Sequence, residues 1–108
     1  MPITNDQILT RTEAALAAIK SSYGTDEGEN GTTLFVVHHI EEIGAEYWKK
    51  HLGSSKPKPR QILNLLVLRS HWDDDNVFDF TLPDDVTDYV ISVRFNKAGA
   101  IKEITMEG

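Results

Sequence analysis

The sequence predicts an α+β domain, with three to four N-terminal helices packed on one face of a C-terminal three-stranded antiparallel β-meander. Two observations carry that prediction. Apolar residues recur with a helical period of about 3.6 through the first two-thirds of the chain and with a period of about two after Val77. Helices followed by strands, rather than alternating with them, favour helices layered on an antiparallel sheet. At 108 residues the chain is sized for a single domain spanning 1–108.

The first helix is predicted from about Asn5 to Tyr23. Ile8, Thr12, Ala15, Leu16, Ile19 and Tyr23 form one stripe, Thr4 and Gln7 match a capping box, and Gly24 is placed to end it. The polar segment Thr25–Gly31 reads as a loop. Leu34–Val37 has local strand character, but Val36, Ile40, Ile43 and Tyr47 lie at helical spacing, widened by Leu34 and Val37. The spacing therefore predicts a helix over Thr32–Ile43, with Gly44 bending the chain into a short helix at Ala45–Leu52. The serines and prolines of residues 54–59 form a connector within a basic patch of Lys49, Lys50, Lys56, Lys58 and Arg60. Pro59 suits the first turn of a further helix, which the apolar run Ile62–Leu68 would continue through the core.

Strand alternation follows. Phe78, Phe80 and Leu82 share one face of Val77–Leu82, and Tyr89, Ile91, Val93 and Phe95 share one face of Tyr89–Phe95. Asn96–Gly99 reads as a four-residue hairpin loop leading to a strand over Ala100–Met106. Ile101 and Ile104 differ in parity there, which predicts a bulge or an early frayed end.

Composition narrows the function classes. A net charge of −6 disfavours nonspecific binding to nucleic acid or to anionic membrane. The absence of cysteine excludes disulfides, thiol nucleophiles and thiolate metal sites. The first residues lack the basic start and apolar core of a secretory signal, and no apolar run reaches the roughly 20 residues of a membrane span, so a cytoplasmic location is expected.

Residues 73–88 carry seven aspartates and no basic residue, an acidic rim against the folded core. A calcium loop does not fit it: Asp73, Asp74 and Asp75 are contiguous, no turn glycine follows, and the twelfth position is Asp84 rather than glutamate. His38 and Glu42 stand at i and i+4 on a helix and are the best metal pair, but His51 and His71 belong to unrelated segments and no H-E-x-x-H motif is present. The alternative is that HHIEE forms the wet side of its helix. Arg94 in mid-strand could bind an anion, but it is rather expected to face solvent and pair across the sheet with a neighbour such as Asp79 or Asp88. No nucleophile elbow, Walker loop or dinucleotide fingerprint occurs, so no catalytic residue, metal or cofactor is assigned. Trp72 adjoins the first acidic run, placing an aromatic anchor beside a charged rim.

Phe78–Pro83 (FDFTLP), Asp88–Phe95 (DYVISVRF) and Gly99–Ile104 (GAIKEI) resemble a family of small acidic bacterial proteins with no established catalytic residues; VVHHIEEIGAEYW and PRQILNLLVLRS extend the likeness upstream. That family is similar in size, acidity and lack of cysteine to the immunity proteins of contact-dependent growth inhibition systems. The resemblance implies a non-enzymatic protein that binds and blocks a cognate toxin C-terminal domain, such as a basic nuclease. Trp72, Asp73, Asp74, Asp75, Asp84, Asp85 and Asp88 are the expected partner-binding residues. The competing expectations are a small metal-dependent hydrolase using His38, Glu42 and C-terminal aspartates, and a non-catalytic adaptor that extends its sheet onto a partner. Oligomeric state is left open.

Overall fold

A computed structural model describes residues 5–72 and 76–108. Four helices, α1 (Asn5–Ser22), α2 (Thr32–Glu42), α3 (Ala45–Leu52) and α4 (Pro59–Leu65), precede four strands, β1 (Val67–Trp72), β2 (Val77–Thr81), β3 (Val90–Phe95) and β4 (Ile101–Glu107). The strands form one antiparallel sheet in the order β1-β2-β3-β4. Thr4, the expected cap of α1, lies outside the described residues.

The α+β class and the helical layer are as predicted, but the meander has four strands rather than three. The segment assigned to a continuing helix through Leu68 stops being helical at Leu65, and Leu66 leaves the helix with φ −56° and ψ 135°. From Val67 the chain is strand. Its alternation is hidden because Arg69 sits in a bulge: Leu68 pairs with Phe80 and Ser70 with Asp79, so Arg69 has no opposite residue. The bulge predicted from Ile101 and Ile104 is present. Arg94 pairs with Glu103 and Phe95 with Ile101, leaving Lys102 over.

The helices meet one face of the sheet. Ala15 and Ile19 of α1, Phe35 and Val36 of α2, Trp48 of α3, and Ile62 and Leu63 of α4 bury against Phe78, Phe80, Ile91, Val93 and Phe95. Helix α2 turns a different side inward from the one its apolar residues suggest. Its buried residues are Thr32, Phe35, Val36 and His39, at i, i+3, i+4 and i+7, whereas Leu34, Val37 and Ile40 are exposed. Two of the four inward positions are polar, which concealed the stripe. Each is satisfied: the Ser22 hydroxyl donates to the Ile19 carbonyl and accepts from the Thr32 hydroxyl at 2.7 Å. The Nδ1–H of His39 donates to the Phe35 carbonyl at 2.6 Å.

The two sheet edges differ. On β4 the Met106 N–H donates to the Asn30 carbonyl at 3.2 Å, and Gly31 packs so close that a Cβ would stand 2.7 Å from the Ile104 carbonyl oxygen. The loop before α2 thus covers that edge. At the other edge, five of the six β1 residues are exposed.

Candidate functional site

Strand alternation places a second set of side chains on the face opposite the helices. The register builds two rows across the four strands, Trp72, Val77, Arg94 and Glu103, and Ser70, Asp79, Ser92 and Thr105, with the pairs Val67–Thr81 and Val90–Glu107 beyond them. A depression of about 340 Å³ lies over them, lined by strand residues alone.

Asp79 sits in the second of these rows. Its Oδ1 accepts the Ser92 hydroxyl at 2.6 Å, and its Oδ2 accepts the Trp72 indole N–H at 2.8 Å and the Ser70 hydroxyl at 3.4 Å. All three donors are neutral, and no cation among the described residues forms an ion pair with it. Trp72 is consequently not a core residue. It is 50% exposed, with its indole edge fixed by Asp79. Arg94 pairs across the sheet with a carboxylate, as expected, and that carboxylate is Glu103 on β4 at 3.4 Å, the residue opposite it in register. Thr105 donates to Glu107 at 2.9 Å.

The acidic residues after β2 have another environment. Asp84 and Asp85 adopt left-handed backbone conformations, with φ 67° and 50°. Tyr47, Lys50 and His51, at i, i+3 and i+4 on α3, share one helix face that grips this turn. The Tyr47 hydroxyl donates to the Pro83 carbonyl at 2.9 Å, and Asp84 Oδ2 accepts from Lys50 Nζ at 3.1 Å and His51 Nε2 at 2.8 Å. Hydrogen bonds from Lys50 and then His51 hold the Asp84 carboxyl below its ordinary pKa. Burial, aided by the Asp84 charge, pushes the Tyr47 phenol up to about 12.

His39 ties down the far end of the same loop. A carbonyl can only accept, so His39 carries its proton on Nδ1, and Nε2 accepts the Thr87 hydroxyl at 2.9 Å. Burial lowers its pKa, and the neighbouring His38 adds to the shift. HHIEE is therefore not a uniformly wet surface. His39 is buried, and the His38 ring lies 4.9 Å from that of Tyr89.

Of the expected partner-binding residues, Trp72 lies at one end of β2 and Asp84, Asp85 and Asp88 follow its other end, with Asp73, Asp74 and Asp75 outside the described residues. Trp72 and the Asp84 turn thus do not form one site. Trp72 instead bonds Asp79, and Ser92, Thr105 and Glu107 line the same depression, none of which stands out as a site residue in the sequence. Their signal was available in the alternation of β2 and β3, which sends Asp79 and Ser92 to one side, but Ser70 and Trp72 could join them only once β1 was recognised. His38 and Glu42 gain no third ligand: among the described residues no group of three His, Asp or Glu side chains is placed to hold a metal. None of the described helices is long and apolar enough to cross a membrane. No family model, curated protein or solved structure matches the chain.

Proposed function

We propose that this chain is a non-catalytic binding protein of the immunity type, which neutralises a basic toxin domain by covering it with the open face of its sheet. The observation that carries the reading is the Trp72–Asp79 pair. A half-exposed indole is held by a carboxylate that has no described counter-ion, at the centre of a concave surface. Aromatic anchors supply much of the affinity at protein interfaces, and uncompensated carboxylates steer a cationic partner. The net charge of −6 extends that steering over the molecule.

Two other surfaces suit a partner less well. Asp84 already spends its charge on Lys50 and His51. The β1 edge is open, but a bulge and an arginine at its middle are devices that oppose strand addition.

The test is co-expression in a bacterial host with the C-terminal domain of a large secreted protein encoded beside this chain. The native protein restores growth and co-purifies with the domain at equal stoichiometry, whereas Trp72→Ala does neither. Failure of the native protein to bind or protect refutes the proposal.

A further inference from the structure

We propose that the depression on the open sheet face is a receptacle for a guanidinium group, an arginine side chain of the bound protein stacked on the Trp72 indole and bonded to the Asp79 carboxylate beside it. The inference rests on the reading of this face as the protein-binding surface and names the group that it recognises. Three features of the site point to it.

The charge balance favours a cation. Among the described residues, Asp79, Glu103 and Glu107 line the depression with one guanidinium, that of Arg94, which is engaged with Glu103. Asp79 is half-buried and oriented by three hydrogen bonds, each from a neutral donor. Such a carboxylate is fixed in place without being neutralised, so an incoming cation meets a charge that costs little further ordering to engage.

The wall favours a flat cation. An indole is the best aromatic partner for a cation, and a guanidinium can both stack on it and bond in its own plane. The indole N–H donates to Asp79 at 2.8 Å, which holds the ring beside the carboxylate.

Hydrogen-bond capacity favours arginine over lysine. A carboxylate offers about four lone-pair sites, and three at Asp79 are occupied, so about one remains for the ligand. A bound cation must place its other N–H groups on Thr105 and Glu107 on the far strand. Spacing between strands is about 4.8 Å, so Asp79 on β2 and the β4 residues are about 10 Å apart at the backbone. The five divergent donors of a guanidinium suit acceptors on both sides better than a compact ammonium does. The volume of about 340 Å³ accommodates such a side chain.

The test uses the full chain labelled with nitrogen-15 and three capped amino-acid amides: arginine, lysine and the neutral isostere citrulline. Trp72 and Trp48 contribute the two indole N–H resonances. The arginine probe shifts the Trp72 indole saturably and binds about tenfold more tightly than either citrulline or lysine. Asp79→Asn weakens arginine about tenfold, while Glu13→Gln on the exposed side of α1 leaves it unchanged. If Asp79→Asn does not fold, Trp72→Phe and Glu107→Gln, followed at the Ser92 amide, are each expected to weaken binding several-fold. Equal binding of arginine and citrulline, equal binding of arginine and lysine, or full affinity in the face variants overturns the proposal. No toxin domain enters this experiment. Arginine binding without protection in cells refutes the immunity reading alone, and protection without arginine selectivity refutes the guanidinium site alone.

Discussion

Replacing His39 with alanine gives the most demanding test of how the loop between β2 and β3 is held. The imidazole is 1% exposed, lies with its centroid 4.0 Å from that of Phe35, and bonds both the Phe35 carbonyl and the Thr87 hydroxyl. Its removal empties a buried site and loses the hydrogen bond that crosses from α2 to the loop. Thr87 retains one partner, because its oxygen also accepts the Tyr89 N–H at 3.2 Å. Loss of a buried ring together with a buried hydrogen bond costs about 2–4 kcal/mol, a large share of the roughly 5–15 kcal/mol available to a domain of this size. The variant should melt about 10–20 °C below the native protein.

The histidine also leaves a pH signature whose sign is fixed. Burial lowers the folded-state pKa below the ordinary value of 6.5, so as pH falls through 6.5 the unfolded chain takes up a proton that the folded chain refuses. Stability therefore rises with pH between the depressed folded value and 6.5, and levels off above it. Urea titrations across about pH 5–8 should show this slope in the native protein and a shallower one in His39→Ala. The two proteins differ at position 39 alone, so the difference in slope reports the replaced imidazole. Equal slopes, or a melting temperature within about 2 °C of native, would refute the assignment of His39 as a buried neutral clasp.

Other consequences are as direct. Trp48 is 1% exposed, and its Nε1 is the one buried side-chain polar atom without a hydrogen-bond partner among the described residues. Trp48→Phe removes that unsatisfied donor, so it should cost under about 1.5 kcal/mol by denaturant titration, against about 3–5 kcal/mol for Trp48→Ala. Gly31→Ala should destabilise by about 1–3 kcal/mol, because its Cβ would meet the Ile104 carbonyl oxygen at 2.7 Å; Gly44→Ala, with nothing within 4 Å, should not. Asp85→Val places a β-branched residue at φ 50° and should cost about 1–2 kcal/mol, whereas Asp85→Gly should not destabilise. Between pH 10 and about 12 the unfolded chain loses the Tyr47 proton while the folded chain keeps it, so stability falls across that window; Tyr47→Phe should flatten the fall.

The parts of the fold that follow from sequence are those where one physical signal acts alone. Helix α3 starts after Gly44 and ends at Gly53 in a left-handed cap, so two glycines mark both ends. Strands β2 and β3 pair in an unbroken register, with Asp79 and Ser92 opposite one another between apolar pairs, and Asn96 with Gly99 sets the last hairpin. Strand β1 escaped because two signals overlap. Ile62–Leu65 ends α4 in the same apolar run that begins the strand, and the Arg69 bulge then breaks the period of two. The inward face of α2 escaped because Thr32 and His39 are polar residues made inward-facing by partners distant in sequence. The same limit applies to the candidate site. Trp72 stood out as an aromatic beside aspartates, but its partner is Asp79, which only the β1–β2 register brings alongside. The Asp84 turn was equally conspicuous by charge, and nothing in the local sequence announces that α3 grips it.

The central claim is that the open sheet face, anchored by Trp72 and Asp79, binds a basic toxin domain. Isothermal titration of the neighbouring secreted protein's C-terminal domain into native, Trp72→Ala, Asp79→Asn and Glu13→Gln proteins tests it most directly. Loss of a central aromatic anchor at an interface costs about 2 kcal/mol or more, so Trp72→Ala should weaken binding about thirtyfold. Asp79→Asn should weaken it by a similar factor, and Glu13→Gln should bind as the native protein does. Native affinity in both face variants, with their fold intact, would contradict the claim.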